Sequence, residues 1–148
     1  MKLKTSFGDL FAYTGARDHK KDQPAVVFIH GTGMDHTVWV LPSRYFARHG
    51  FNVLSIDLPG HGKSSGVSPE TINEMADAVI ESMQVAGISD AAIVGHSMGS
   101  LVALSAAARY PDRARSLALI GTTAPMGVHP DMMASAQKND HDVIDMIT

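Results

Sequence analysis

The 148-residue chain has no cysteine, which excludes disulfides and thiolate metal sites and fits a reducing compartment. No stretch approaches the roughly 20 apolar residues that a membrane-spanning helix needs. The N-terminus, Met1-Lys2-Leu3-Lys4-Thr5-Ser6, lacks the apolar core of a secretory leader, so the cytoplasm is the expected compartment. There is no basic block and the formal net charge is −3, so neither nucleic acid nor a membrane is expected as a partner. Eight histidines are present, yet none stands in H-E-x-x-H or comparable ligand spacing, so no metal site is expected. Gly31-Thr32-Gly33 does not continue into a phosphate-binding glycine pattern, which removes the case for a nucleotide. What remains is 45% apolar and 18% charged, an ordinary globular composition at a length suited to one domain.

Short apolar runs alternate with helical patterns. Residues 2–14 read as two strands around a turn at Gly8-Asp9. Buried strands are expected at residues 24–29, 51–57, 91–94 and 116–120. The run Ala91-Ala92-Ile93-Val94 has the composition of a strand buried on both faces. Residues 38–49 read as a helix with Trp39, Leu41, Tyr45 and Phe46 on its apolar side. Ser68-Pro69-Glu70 looks like a helix start, with a cap, a proline at the first helical position and an acid in the first turn. Ile72, Met75, Ala76, Val79, Ile80 and Met83 then recur at helical spacing on one face. Strands alternating with helices argue for an α/β fold, an open and mostly parallel sheet with helices on both faces. Residues 130–148 read as two short polar helices. Residues 1–125 form the core in this reading; 126–148 are either the start of a cap or a polar tail.

Gly95-His96-Ser97-Met98-Gly99 is the most informative stretch. It is a G-x-S-x-G sequence between an apolar strand and a run of helix formers, the context of a nucleophile elbow. Such a turn lifts the serine above the strand ends, at a helix N-terminus whose N–H groups face developing negative charge. Two further loops follow buried strands, His30-Gly31-Thr32-Gly33 and Asp57-Leu58-Pro59-Gly60-His61-Gly62-Lys63-Ser64. In open parallel sheets that edge is where ligands bind. The alternative for Ser97 is a helix cap in a non-catalytic domain, which leaves the two glycine loops unexplained.

These three loops, with Val26-Val27-Phe28-Ile29, Trp39 and Ala108-Arg109-Tyr110-Pro111, resemble the α/β-hydrolase fold family, in particular its cap-bearing esterases and meta-cleavage product hydrolases. The resemblance covers residues 24–125. It implies Ser97 as nucleophile and an oxyanion hole from the N–H groups of Met98 and Thr32. It implies no cofactor and a small-molecule substrate, a carboxylic ester or related carbonyl compound. The family's acid and histidine follow later strands, so the chain is expected to hold only the N-terminal half of the fold, without the last strands. Neither role falls on a residue of this sequence. Two other readings follow from that expectation, a non-catalytic binding or assembly module and a half-enzyme completed by a second chain. His30, Gly31, Gly33, Gly95, His96 and Gly99 are read as structural residues around the site, as is His61 in its loop. His96 adjoins Ser97, but side chains diverge at a sharp turn. His129 and His141 fall in the segment read as a cap entry, and Asp140-His141-Asp142 is read as a solvated face. Self-association or segment swapping is expected through the edge strand 116–120.

Overall fold

The five residues Ala25–Ile29 are all buried and form the strand β3 at the centre of the sheet. Asn52–Ile56, also wholly buried, forms β4 beside it. An unbroken apolar run is what a parallel strand covered on both faces requires. The computed structural model describes residues 1–123 and 125–138. The other strands are β1 (Lys2–Thr5), β2 (Gly8–Tyr13), β5 (Ala91–His96) and β6 (Ala114–Ile120), and the six-stranded order is β1-β2-β4-β3-β5-β6. β1 and β2 pair antiparallel, and so do β2 and β4. β4, β3, β5 and β6 run parallel, with Val27 opposite both Leu54 and Ile93. This is the open, mostly parallel sheet expected from the sequence.

Helices cover both faces. α2 (Ile72–Val85) and α3 (Met98–Arg109) pack over Val27, Leu54, Ile56 and Ile93. A 3-10 helix, His36–Trp39, leads into α1 (Val40–Arg48) on the opposite face, over Val26, Phe28 and Val53. Trp39 stacks at 5.1 Å from the Phe28 ring centroid. A last helix, α4 (Pro130–Gln137), begins at the proline and is capped by His129. No helix among the described residues is long and apolar enough to cross a membrane.

Several local expectations shift. The first hairpin turns at Ser6-Phe7 and not at Gly8-Asp9, because Thr5 pairs with Gly8 and its hydroxyl donates to the Gly8 carbonyl at 2.8 Å. α2 starts after Thr71 and not at Ser68, since Thr71 and Glu74 form a reciprocal capping box. Of the residues expected on the apolar side of this helix, Trp39 in the 3-10 turn is buried and Phe46 half-buried, but Leu41 and Tyr45 are 77% and 59% exposed. The face that meets the sheet is Trp39, Ser43 and Ala47. A Cβ at Gly15 would lie 2.4 Å from the Ser43 carbonyl oxygen, so the helix approaches too closely there for large side chains. β5 is fully buried only at alternate positions; Ala92 and Val94 are half-buried, packed against the cluster around Phe28 and Trp39. The second polar helix expected after α4, with Asp140, His141, Asp142 and Met146, falls outside the described residues.

β6 closes one edge of the sheet, with Leu117 and Leu119 each 38% exposed and Ile120 46% exposed. Its one charge, Arg115, is bound to Asp90 and does not guard the edge. An apolar, unpaired strand is a template for pairing with another chain. The purified 148-residue chain is therefore expected to self-associate in light scattering, and Leu119→Lys to reduce that association. A monodisperse monomer melting cooperatively above about 65 °C, beyond the usual mesophile range, would overturn the expectation.

Candidate active site

Three loops leave the carboxyl ends of adjacent parallel strands: 30–35 after β3, 57–66 after β4 and the turn at Ser97 after β5. β3 is followed by a helix on one face and β5 by a helix on the other, so their carboxyl ends flank a topological switch point, where open α/β sheets form their ligand crevice. Gly31 and Ser97 meet there. A Cβ placed on Gly31 would lie 3.3 Å from Ser97 Cβ and 3.1 Å from His96 Nδ1.

Ser97 has φ 53° and ψ −122°, a conformation that side-chain-bearing residues rarely adopt. Such strain costs on the order of 1–3 kcal/mol and persists only where the surroundings enforce it. Here they do. Ser97 N–H donates to Ile120 O at 2.9 Å, and Ser100 N–H to Ser97 O at 2.9 Å. The Ser100 hydroxyl donates to the same carbonyl at 2.5 Å. The flanking glycines are steric necessities: a Cβ at Gly95 would sit 2.1 Å from Gly99 O, and one at Gly99 2.4 Å from Ile29 O. Ser97 is the N-cap of α3 without a side-chain cap bond, and no hydrogen bond among the described residues uses its Oγ. The hydroxyl is half-exposed at a helix N-terminus, where the N–H of Met98 and its neighbours have no partner one turn earlier.

His30 is fully buried between the two neighbouring loops. Leu58 N–H donates to its Nε2 at 3.1 Å, so the ring proton is on Nδ1 and is donated to Gly31 O at 2.8 Å. Burial holds its pKa below the ordinary 6.5, against the opposing pull of the Gly31 carbonyl. Met34 N–H also donates to Gly31 O, at 3.2 Å, closing the turn around Thr32 and Gly33. Thr32 is exposed on that turn. His61 lies 5.1 Å from the His30 ring and bonds the Pro59 carbonyl through Nδ1 at 3.0 Å. The His96 ring, in turn, lies beside Gly121, 3.7 Å from where a Cβ of that glycine would be.

One pair escapes the sequence reading. His36 and Asp57 are buried together, with His36 Nδ1 at 2.9 and 3.0 Å from the two carboxylate oxygens. The available signal was an aspartate ending a strand expected to be buried, a charge that needs buried partners. Asp35, His36 and Asp57 each place a donor atom within 4.8 Å of the others. Asp57 already accepts N–H groups from His36 and Lys63, and Asp35 accepts from Thr37, so the protein's own donors use this set. A cavity of about 470 Å³ lined by Lys21, Gln23, Asn52 and Arg115 opens at the amino ends of the strands, the edge opposite Ser97.

Over residues 24–147 the chain matches the alpha/beta hydrolase fold family. It is 38% identical over 114 residues to a pimeloyl-[acyl-carrier protein] methyl ester esterase of Chromobacterium violaceum, covering 77% of this chain and 42% of that protein. It is 32% identical over 96 residues to (E)-2-((N-methylformamido)methylene)succinate hydrolase of Acinetobacter baylyi, covering 64% of this chain and 36% of that one. The chain thus spans less than half the length of these curated relatives. The N-acyl homoserine lactonase AidH superposes with a TM-score of 0.75 at 28% identity, over 91% of this chain and 52% of its own. A hydrolase from Pseudomonas aeruginosa PA01 gives 0.76 at 25% identity, over 93% and 50%.

Two measurements check this geometry. Gly99→Ala forces a methyl against the Ile29 and His30 carbonyls. It is expected to cost about 1–3 kcal/mol or more in denaturant unfolding, the range for overpacking. His30 gives a pH dependence. The unfolded chain takes up the proton near 6.5 and the folded chain at a lower pH. Stability from this group is therefore complete above 6.5 and is lost as pH falls from there toward the lowered folded value. Melting temperatures between pH 7 and 5 should fall less steeply in His30→Asn, which cannot take up this proton; parallel slopes would contradict the assignment.

Proposed function

The chain belongs to the alpha/beta hydrolase fold family, and from that premise we propose that it carries the nucleophile and oxyanion donors of a serine hydrolase acting on a carboxylic ester or related carbonyl compound. One observation carries the proposal: a serine held at φ 53°, between glycines that cannot bear a side chain, at the switch point of the sheet. Relatives named as an ester esterase, a succinate-derivative hydrolase and an acyl lactonase support the carbonyl class and leave the particular substrate open.

In this reading Ser97 Oγ attacks the carbonyl carbon and its proton passes to a base. The tetrahedral oxyanion takes N–H groups from Met98 and Thr32. The C–O bond to the leaving group then breaks, and the departing oxygen takes the proton back. Water repeats the sequence on the acyl-serine and releases the acid. Removing one oxyanion donor typically costs about 10²–10³ in rate, so Thr32 and Met98 amides are substantial contributors.

Among the described residues no histidine bonds Ser97 Oγ, so turnover of p-nitrophenyl acetate by the 148-residue chain should be slow. A serine protease stripped of its triad keeps roughly 10³–10⁴-fold acceleration over water from binding and the oxyanion hole. A fluorophosphonate should label the native chain and not Ser97→Ala. Labelling that is slow and lost in Ser97→Ala supports the proposal, and labelling that persists undiminished in Ser97→Ala would overturn it. Fast turnover lost in Ser97→Ala would instead place the base on a histidine such as His96, His61 or His141.

A further inference from the structure

The segment 31–35 carries Thr32, and both of its ends are pinned to the loop after β4. At the first end, Leu58 N–H holds His30 and His30 holds Gly31 O. At the second, Asp57 accepts the His36 backbone N–H at 2.6 Å and its Nδ1–H at 2.9 Å. The same carboxylate accepts Lys63 N–H at 2.9 Å, and its own backbone carbonyl accepts the Ser64 hydroxyl at 2.6 Å. Asp57 N–H reaches across to Phe11 O at 2.9 Å. A Cβ on Gly62 would lie 2.4 Å from Asp57 Oδ2, so a glycine is required there for Lys63 to reach the carboxylate. One fully buried carboxylate thus joins the loop after β3 to the loop after β4, and the backbone N–H of the same residue ties both to β2.

A buried charge is costly unless several donors converge on it, and a neutral side chain cannot accept from so many at once. What the hub fixes is a peptide direction. A planar trans peptide points its C=O and the following N–H in opposite directions. Two donors, His30 Nδ1–H and Met34 N–H, hold Gly31 O. The Thr32 N–H must therefore point the other way for as long as residues 31–36 stay closed. Closure at the far end depends on His36 and Asp57. We propose that Asp57, acting through His36, is the positioning residue for the Thr32 N–H. This rests on the reading of Thr32 as an oxyanion donor.

Two observables test it on the full 148-residue chain, with Asp57→Asn and the pair His36→Ala and His36→Asn. Asparagine places an amide donor where His36 Nδ1–H stands, so His36→Asn should restore what His36→Ala loses. In labelling by a p-nitrophenyl phosphonate, Asp57→Asn and His36→Ala should lower the maximal rate, by up to about 10²-fold, the loss of one donor. The half-saturating concentration should not change. In Ser97→Ala chains, the Thr32 amide resonance should shift in Asp57→Asn and His36→Ala, return in His36→Asn, and leave Met98 in place. An unmoved Thr32 resonance in a folded variant overturns the positioning role, as does an unchanged labelling rate. Should Asp57→Asn not fold, the His36 pair decides. Labelling of the native chain that persists undiminished in Ser97→Ala refutes the hydrolase reading, while the Thr32 resonances in the Ser97→Ala chains decide the positioning on their own.

Discussion

The first turn of α3 lies directly on the backbone at the end of β3, and the rest of the arrangement depends on that contact. No methyl group fits between Gly99 and the carbonyls of Ile29 and His30, nor between Gly95 and Gly99. Close approach brings the strand-to-helix turn of β5 against the loop that leaves β3. Ser97 then has no ordinary backbone conformation open to it and takes positive φ. The strain at the serine and the nearness of Gly31 are two results of one steric condition.

Around this contact the polar groups are arranged in series. Leu58 N–H, the His30 ring and Gly31 O form one line, and Asp57, His36 and Lys63 form the other. Each line crosses from one strand-end loop to the next. Loops ordinarily vary and move more than the elements they join. Here the loops after β3 and β4 are fastened through buried groups, so they share the rigidity of the sheet beneath them. A neutral His30 is the form that can accept from Leu58 and donate to Gly31 together, and burial favours that form.

Much of this was legible in the sequence because it is local. Apolar runs ending in glycine loops place β3, β4 and β5, and the Gly95–Gly99 pattern places the turn at Ser97. The helical spacing from Ile72 to Met83 gives α2 and its buried face. The failures are where a distant contact decides or where two local signals compete. Leu41 and Tyr45 face solvent, while Ser43 and Ala47 face inward against Gly15, far away in sequence. Thr71 caps α2 through Glu74, a local signal overshadowed by the Ser68-Pro69 pair. The His36–Asp57 pair joins residues 21 apart, and no spacing rule connects a loop histidine to a strand-end acid.

The bond from Ser97 N–H to Ile120 O has a consequence for the order in which the molecule assembles. A chain emerging from a ribosome can close its first hairpin from residues 2–13 alone, yet that hairpin docks on β4, which is made later. β3, made before either, lies between β4 and β5. The acceptor for Ser97 is the last residue of β6, 23 positions further along. Until β6 is in place, the Ser97 N–H lacks that acceptor. The hydrogen bonding of the strained turn is thus completed only when the end of the last described strand docks.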